Sequence, residues 1–344
     1  MVAGETVIGR PISLAIAIVL LGFAALCLPA VARAVDGPEA AGSLYDVGGY
    51  RLYLQCSGAG SPTVILDSGL GADHTEWSAV QPTVARFTRV CSWDRAGLGK
   101  SDHRPQRGPV PTEQIVAELH ALLQQADIAP PYVLVGHSLG GIDMRVYQMR
   151  HTTDVVGLVM AEGTPEQQEL TGDGIESANG ETMSVGSAAH ALLHWGLAAD
   201  FPLVVIERAK DTDSVWQAQQ AALSVLSRNS LLIVANNSDH GVEREQPALV
   251  VAGIKAVVES LQNHTRLEQC PSSVPSLGGQ CLSAGTAPPE GGVNVSVGLL
   301  VGAIAATLLV GVGIGLLIGW VAPRFRHQPN RRTESDQAHP TNAP

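Results

Sequence analysis

Residues 134–141 read LVGHSLGG, which sets Ser138 between Gly136 and Gly140 directly after the apolar run Tyr132–Val135. A G-x-S-x-G spacing between a strand and a helix makes a turn so tight that side chains two residues to either side would collide. Glycine at both places removes the collision and leaves the serine hydroxyl presented as a nucleophile. A serine hydroxyl attacks poorly until a base takes its proton, so a histidine must lie within hydrogen-bond reach. Of the 11 histidines, His240 is the best placed, after the strand-like LLIVA and the loop NNSD and just before the last helix. His137 adjoins Ser138 but points elsewhere across the turn and reads as structural.

The histidine needs a carboxylate to fix its tautomer and to stabilise the imidazolium. Two acids stand at strand ends, Asp211 after PLVVIERAK and Glu162 after VVGLVMA, and the chain order Ser, acid, His holds for either. Asp211 is the preferred acid. One strand and one helix-sized run separate it from His240, which puts both on loops at one sheet edge. Glu162 ends the strand beside the elbow strand, and its longer side chain makes it the alternative. A tetrahedral oxyanion needs two preorganised donors. The backbone N–H of Leu139 supplies one, and the Gly-rich SGLGA loop supplies the other, for which Leu70 is the choice. No metal or organic cofactor is required by this chemistry.

These residues must be positioned by the elements around them. Seven strand-like runs (RLYLQC, PTVILD, RVCSWD, YVLVGH, VVGLVMAE, PLVVIE and LLIVAN) alternate with helix-like ones, the mark of an α/β fold. Most are continuously apolar, as strands of a largely parallel sheet covered on both faces must be. Thr112 is the expected cap of one helix, and Pro247 the expected start of another that buries Val250, Ile254 and Val257. About forty residues between two strands, roughly 163–200, exceed a plain connection and predict a small cap over a pocket. Glu166, Glu169 and Asp173 within it could hold a substrate amine.

Two segments are too apolar for the body of a soluble domain. Residues 1–34 begin with a short basic start, continue through PISLAIAIVLLGFAALCLPAVA and end in Ala32-Arg33-Ala34, which predicts a signal peptide or an N-terminal anchor. Residues 295–322 carry no charge and are long enough to span a bilayer as a helix. Arg324, Arg326, Arg331 and Arg332 follow, so residues 323–344 form a basic tail placed in the cytoplasm. The expectation is an α/β domain at 44–264 outside the cytoplasm, a Pro/Ser/Gly linker at 265–292, and a bilayer partner for the span. Gly311, Gly315 and Gly319 form overlapping G-x-x-x-G patterns, a face for self-association.

The net charge of -11, with no basic stripe outside the tail, excludes nucleic acid as a partner. Four of the five cysteines lie in the exported part, as an oxidising compartment favours. Cys270 and Cys281 bracket a short stretch that a bridge could close. AGLGKSD ends like a phosphate-binding loop, but Asp94 stands where that pattern needs its first glycine, so nucleotide binding is set aside.

RVCSWDRAGLGKSD, PYVLVGHSLGG and DHGVEREQPALV together resemble the α/β-hydrolase fold family, over roughly residues 44–262. The resemblance implies a mostly parallel, eight-stranded-type sheet with helices on both faces and a small cap. It also implies Ser138 as nucleophile, His240 as base, an acid after a late strand, and a small-molecule acyl substrate. In the strand order usual for this fold the strands bearing Cys56 and Cys91 are neighbours, so a disulfide between them is expected. Three departures stand out. Ser68-Gly69 replaces a common His-Gly, Arg208-Ala209-Lys210-Asp211 replaces G-x-x-D, and Glu162 replaces a frequent Asp. The expected activity is that of a membrane-anchored serine hydrolase acting on esters or related acyl bonds. The alternatives are an aminopeptidase-type peptidase on the same fold, or a catalytically idle anchored binding protein. A serine at 138 disfavours a haloalkane dehalogenase, which needs aspartate there.

Overall fold

The computed structural model of the chain describes residues 1, 4, 42–169, 175–197 and 200–282. Twelve strands occur among them: β1 Ser43–Asp46, β2 Arg51–Ser57, β3 Thr63–Asp67, β4 Val90–Trp93, β5 Val110–Pro111, β6 Tyr132–His137, β7 Val155–Ala161, β8 Ile175–Ala178, β9 Glu181–Ser184, β10 Leu203–Arg208, β11 Ser230–Ala235 and β12 Gly279–Leu282. Nine of them build one sheet in the order β1-β2-β4-β3-β6-β7-β10-β11-β12. The centre from β4 to β11 is parallel, while β1, β2 and β12 join antiparallel at the two edges. All seven runs read as strands in the sequence lie in this sheet. The expected eight-stranded type becomes nine because β12 adds an edge.

The apolar runs are continuous because alternate side chains feed two separate cores. Ile65, Leu134, Leu158, Met160, Leu203 and Val205 pack on one face with helices Thr112–Gln125 and Gly140–Arg150. Val64, Leu66, Val133, Val135, Val159, Val204 and Ile206 pack on the other with helix Pro247–Gln262. Thr112 does not cap its helix; it is the first helical residue, and Pro111 stands at the cap without a side-chain bond.

The boundary expected at 264 moves outward. Residues 265–282 are not a linker but part of the domain: helix Ser273–Ser276 buries Val274, and β12 pairs with β11 from Leu232↔Leu282 to Ala235↔Gly279. A Cys270–Cys281 disulfide fastens this segment, and Cys56 on β2 is bonded to Cys91, its register partner on β4. The cap insert carries the β8–β9 hairpin, joined to β5 as a second sheet, followed by helix Gly186–Leu192. Among the described residues no helix is long and apolar enough to cross a membrane. The spans expected at 1–34 and 295–322, with the glycine face at Gly311, Gly315 and Gly319 and the basic tail, lie outside the described residues.

Candidate active site

Ser138 follows β6 and precedes helix Gly140–Arg150 with φ +51°, the left-handed conformation of a sharp elbow. The flanking glycines are required by contact. A Cβ on Gly136 would lie 2.5 Å from the carbonyl oxygen of Gly140, and one on Gly140 would lie 2.6 Å from that of Ser68. The turn is pinned by the Ser138 carbonyl, which accepts from the amides of Gly141 and Thr164 at 2.9 Å each.

The Ser138 hydroxyl is 2.8 Å from His240 Nε2, and His240 Nδ1 is 3.1 Å from Glu162 Oε2. His240 reaches over the elbow from the loop after β11, as its chain position implies. The preference for Asp211 is corrected here. Asp211 sits beyond the end of β10 as an exposed residue that lines the same cavity as Ser138, yet among the described residues its carboxylate takes no hydrogen bond or ion pair. The sheet order explains the difference. β7, which ends at Ala161, lies directly beside the elbow strand β6, whereas β10 is one strand further out. From the nearer strand a glutamate spans the gap; both acids have the left-handed backbone, φ +52° at Glu162 and +49° at Asp211, so strand position and not φ decides between them.

Glu162 is fully buried, and a buried carboxylate must be hydrogen-bonded. It accepts from the backbone N–H of Arg208 at 2.6 Å, from the Arg208 guanidinium, and from Trp216 Nε1 at 3.1 Å. The guanidinium lies over the Trp216 ring, 4.5 Å from its centroid. Arg208 Nη1 is also 3.1 Å from His240 Nδ1. Guanidinium has no acceptor, so the assignment consistent with Glu162 is Nδ1–H donating to the carboxylate, with the Nε2 lone pair facing the serine. Arg208 and Trp216 were not foreseen as site residues. The only trace in the sequence was an arginine where relatives carry the first glycine of G-x-x-D.

The loop bearing Leu70 is held from both sides. The Gly69 amide donates to Glu76 and the Gly71 amide to Glu181, both at 2.8 Å. The buried Arg95 guanidinium grips the carbonyls of Ser68 at 2.7 Å and Gly69 at 2.6 Å, and pairs with Asp67 and Glu181. The amides of Leu70 and Leu139 donate to no protein acceptor among the described residues, and both residues line one cavity with Ser138. That cavity holds about 620 Å³ and is walled by Thr164, Arg208, Trp216, His240 and Arg244. Behind the loop, burial raises the Asp67 carboxyl to about 6, against the pull of Arg95, and raises Asp143 beside it as well.

Asp94, in the discarded phosphate-loop motif, is a structural group. Its carboxylate accepts from the amides of His74 and Lys100. Glu166 is committed to Arg145 at 2.5 Å, and nothing is described of the side chains of Glu169 and Asp173.

A strand-elbow-helix serine, a histidine from the loop after β11 and a carboxylate from the end of β7 converge beside one cavity. Residues 62–247, more than half of the chain, match the alpha/beta hydrolase fold family. The chain belongs to that family. Among curated proteins it is similar to YqjL of Bacillus subtilis, an uncharacterized protein, 25% identical over 226 residues that cover 60% of this chain and 87% of that one. It is also similar to an AB hydrolase superfamily protein of Gibberella zeae, 32% identical over 114 residues, 32% of this chain and 35% of the other. Among solved structures, mouse alpha/beta hydrolase domain-containing protein 10 superposes with a TM-score of 0.51 at 18% identity, covering 64% of this chain and 100% of its own. That likeness speaks to the fold alone.

Proposed function

We propose that the protein is a membrane-anchored, extracytoplasmic serine hydrolase that cleaves an ester or related acyl bond. The observation that carries this reading is the continuous line Glu162–His240–Ser138, at 3.1 and 2.8 Å, ending in a cavity lined by Leu70 and Leu139, whose amides donate to no acceptor among the described residues. Ser138 Oγ attacks the acyl carbon while His240 Nε2 takes its proton, and Glu162 stabilises the resulting imidazolium. The Leu70 and Leu139 amides receive the oxyanion. Collapse expels the leaving group, to which His240 returns the proton. Water, deprotonated by His240, then attacks the acyl-enzyme and regenerates the free hydroxyl, releasing the acid.

Apolar spans on both sides of the domain support anchoring, and two disulfides support an oxidising compartment. The peptidase alternative loses one of its supports, because Glu166 is tied to Arg145. The idle-binder alternative is disfavoured by the complete Ser-His-acid set. The test is fluorophosphonate labelling of intact cells, then external protease, then a panel of acyl esters on the purified full chain. Ser138 should be labelled, the label should be removed by protease, and Ser138→Ala should lose both label and ester turnover while staying folded. Undiminished labelling of Ser138→Ala would remove the central claim.

A further inference from the structure

Beneath the Ser138–His240 pair lies a charged cluster that the chemistry above leaves unused. His137, the residue before the nucleophile, is buried with both ring nitrogens engaged. Nδ1 is 3.1 Å from Glu76 Oε1, and Nε2 is 2.9 Å from the main-chain carbonyl of His240 and 3.3 Å from Glu243 Oε2. A carbonyl only accepts, and an ionised carboxylate only accepts. Burial opposes the charge on Glu76, yet His137, the Gly69 amide and Arg244 hold its carboxyl below the ordinary value, so Glu76 is ionised. The His240 carbonyl can only accept, so Nε2 carries a proton, and Nδ1 donates as well when Glu76 is ionised, which makes the ring an imidazolium; burial raises the carboxyl of Glu243 on its other side. The His137 pKa moves the same way: burial pulls it down, but Glu76, Glu243 and the His240 carbonyl carry it above the ordinary value.

The charged groups facing this ring come from three elements. Glu76 lies on the short helix His74–Trp77, Glu243 and Arg244 on helix Val242–Glu245, and the His240 ring stands 5.0 Å away, centroid to centroid. Arg244 sits behind both carboxylates, 3.2 Å from Glu243 and 3.7 Å from Glu76. The second oxygen of Glu76 accepts the Gly69 amide, whose next neighbour along the chain is Leu70. One buried cation thus touches the backbone of the candidate base directly and the oxyanion loop through a single carboxylate.

We propose that His137 is a positioning residue whose imidazolium holds the His240 main chain, and through Glu76 the Gly69–Leu70 loop, in register with Ser138. The proposal rests on the hydrolase reading above. A reacting group displaced by about 1 Å can cost on the order of a hundredfold in rate. Loosening the His240 carbonyl moves the imidazole relative to Ser138, and loosening Glu76 moves the Leu70 donor. Either change acts on the transition state more than on substrate binding.

The test compares wild type, His137→Gln, Glu76→Gln and the double variant in the full detergent-solubilised chain, well below their melting temperatures. Fluorophosphonate labelling rate, kcat and KM for p-nitrophenyl butyrate are read together. The expected result is a loss of about ten- to hundredfold in labelling rate and kcat for each single variant. KM should stay within about threefold, and the double variant should be no worse than the poorer single one, because both break the same link. A purely structural histidine would lower the melting temperature and leave kcat of the folded protein intact; that outcome overturns the proposal, as does multiplication of the two single losses. Should the variants fail to fold, imidazole ¹⁵N resonances of wild type decide: both His137 nitrogens should be protonated at pH 7, and a neutral ring there overturns it. A wild type that takes no label sinks the hydrolase reading and this proposal together, whereas a labelled wild type with a normally labelled His137→Gln sinks this one alone.

Discussion

Replacing Glu162 by Gln tests the acid assignment most sharply, because shape is kept while charge is removed. In the native site Glu162 serves the Arg208 amide, the Arg208 guanidinium, Trp216 Nε1 and His240 Nδ1. An amide supplies one acceptor where the carboxylate offered two. It also presents an NH₂ group to a pocket of donors, so at least one of them is left facing another. Breaking a buried ion pair typically costs 3–5 kcal/mol. The Arg208 side chain keeps 15% of its surface in water, so the lower end applies, about 3 kcal/mol. In a domain of this size that lowers the melting temperature by about 6–12 °C. Turnover should fall by about 10³–10⁴, the scale on which a triad loses its acid. Asp211→Asn should stay within about threefold of wild type, since its carboxylate, though it lines the cavity, holds no hydrogen bond or ion pair among the described residues. Ester turnover and fluorophosphonate labelling of both variants, below the lower of the two melting temperatures, make the comparison. Near-normal turnover in Glu162→Gln, or a dead Asp211→Asn, would refute the geometry-based assignment.

Gly140→Ala should destabilise the domain by about 1–3 kcal/mol, because the new methyl meets two main-chain carbonyls that cannot rotate away. Denaturant unfolding measures this, and an unchanged midpoint would mean that the elbow is less tightly packed than the contacts require. Glu207 is buried on β10 with its carboxyl raised to about 8, first by burial and then by the charge of Glu162, with Arg208 opposing. The folded state therefore keeps a proton that the unfolded chain gives up above about pH 4.5, the ordinary value. Stability from this group falls as pH rises from about 4.5 toward 8. Glu207→Gln, neutral throughout, should gain in melting temperature over wild type as pH goes from 5 to 8, and a difference that stays flat across that range would count against it.

The Ser138–His240 pairing and the architecture were readable in one dimension because their signals are local. Gly136, Ser138 and Gly140 answer to contacts within a few residues of chain and to the loop that crosses them, so the motif carries its own steric reason. The seven buried strands announced themselves as apolar runs because both faces of each are covered. His240 was found from chain order alone, since a loop after a late strand has one place to hang. The Cys56–Cys91 bridge followed from the strand order that the family resemblance implies.

The acid was different. Asp211 and Glu162 both end strands at the same sheet edge, and chain order permits either. Only the lateral order β6-β7-β10 places Glu162 one strand from Ser138, where its carboxylate meets His240 Nδ1 at 3.1 Å. Arg208, Trp216, Glu76 and His137 were likewise unreadable, because a buried ion is defined by partners far away along the chain; His137 meets Glu76 across 61 residues and the His240 carbonyl across 103. Residues 265–282 looked like linker by composition, since Pro, Ser and Gly dominate there. They belong to the domain because a four-residue strand finds a free sheet edge at β11 and a disulfide fastens it. Local steric rules and hydrophobic periodicity are written along the chain, whereas the choice among equivalent carboxylates and the use of a sheet edge depend on distances that exist only once the chain has folded.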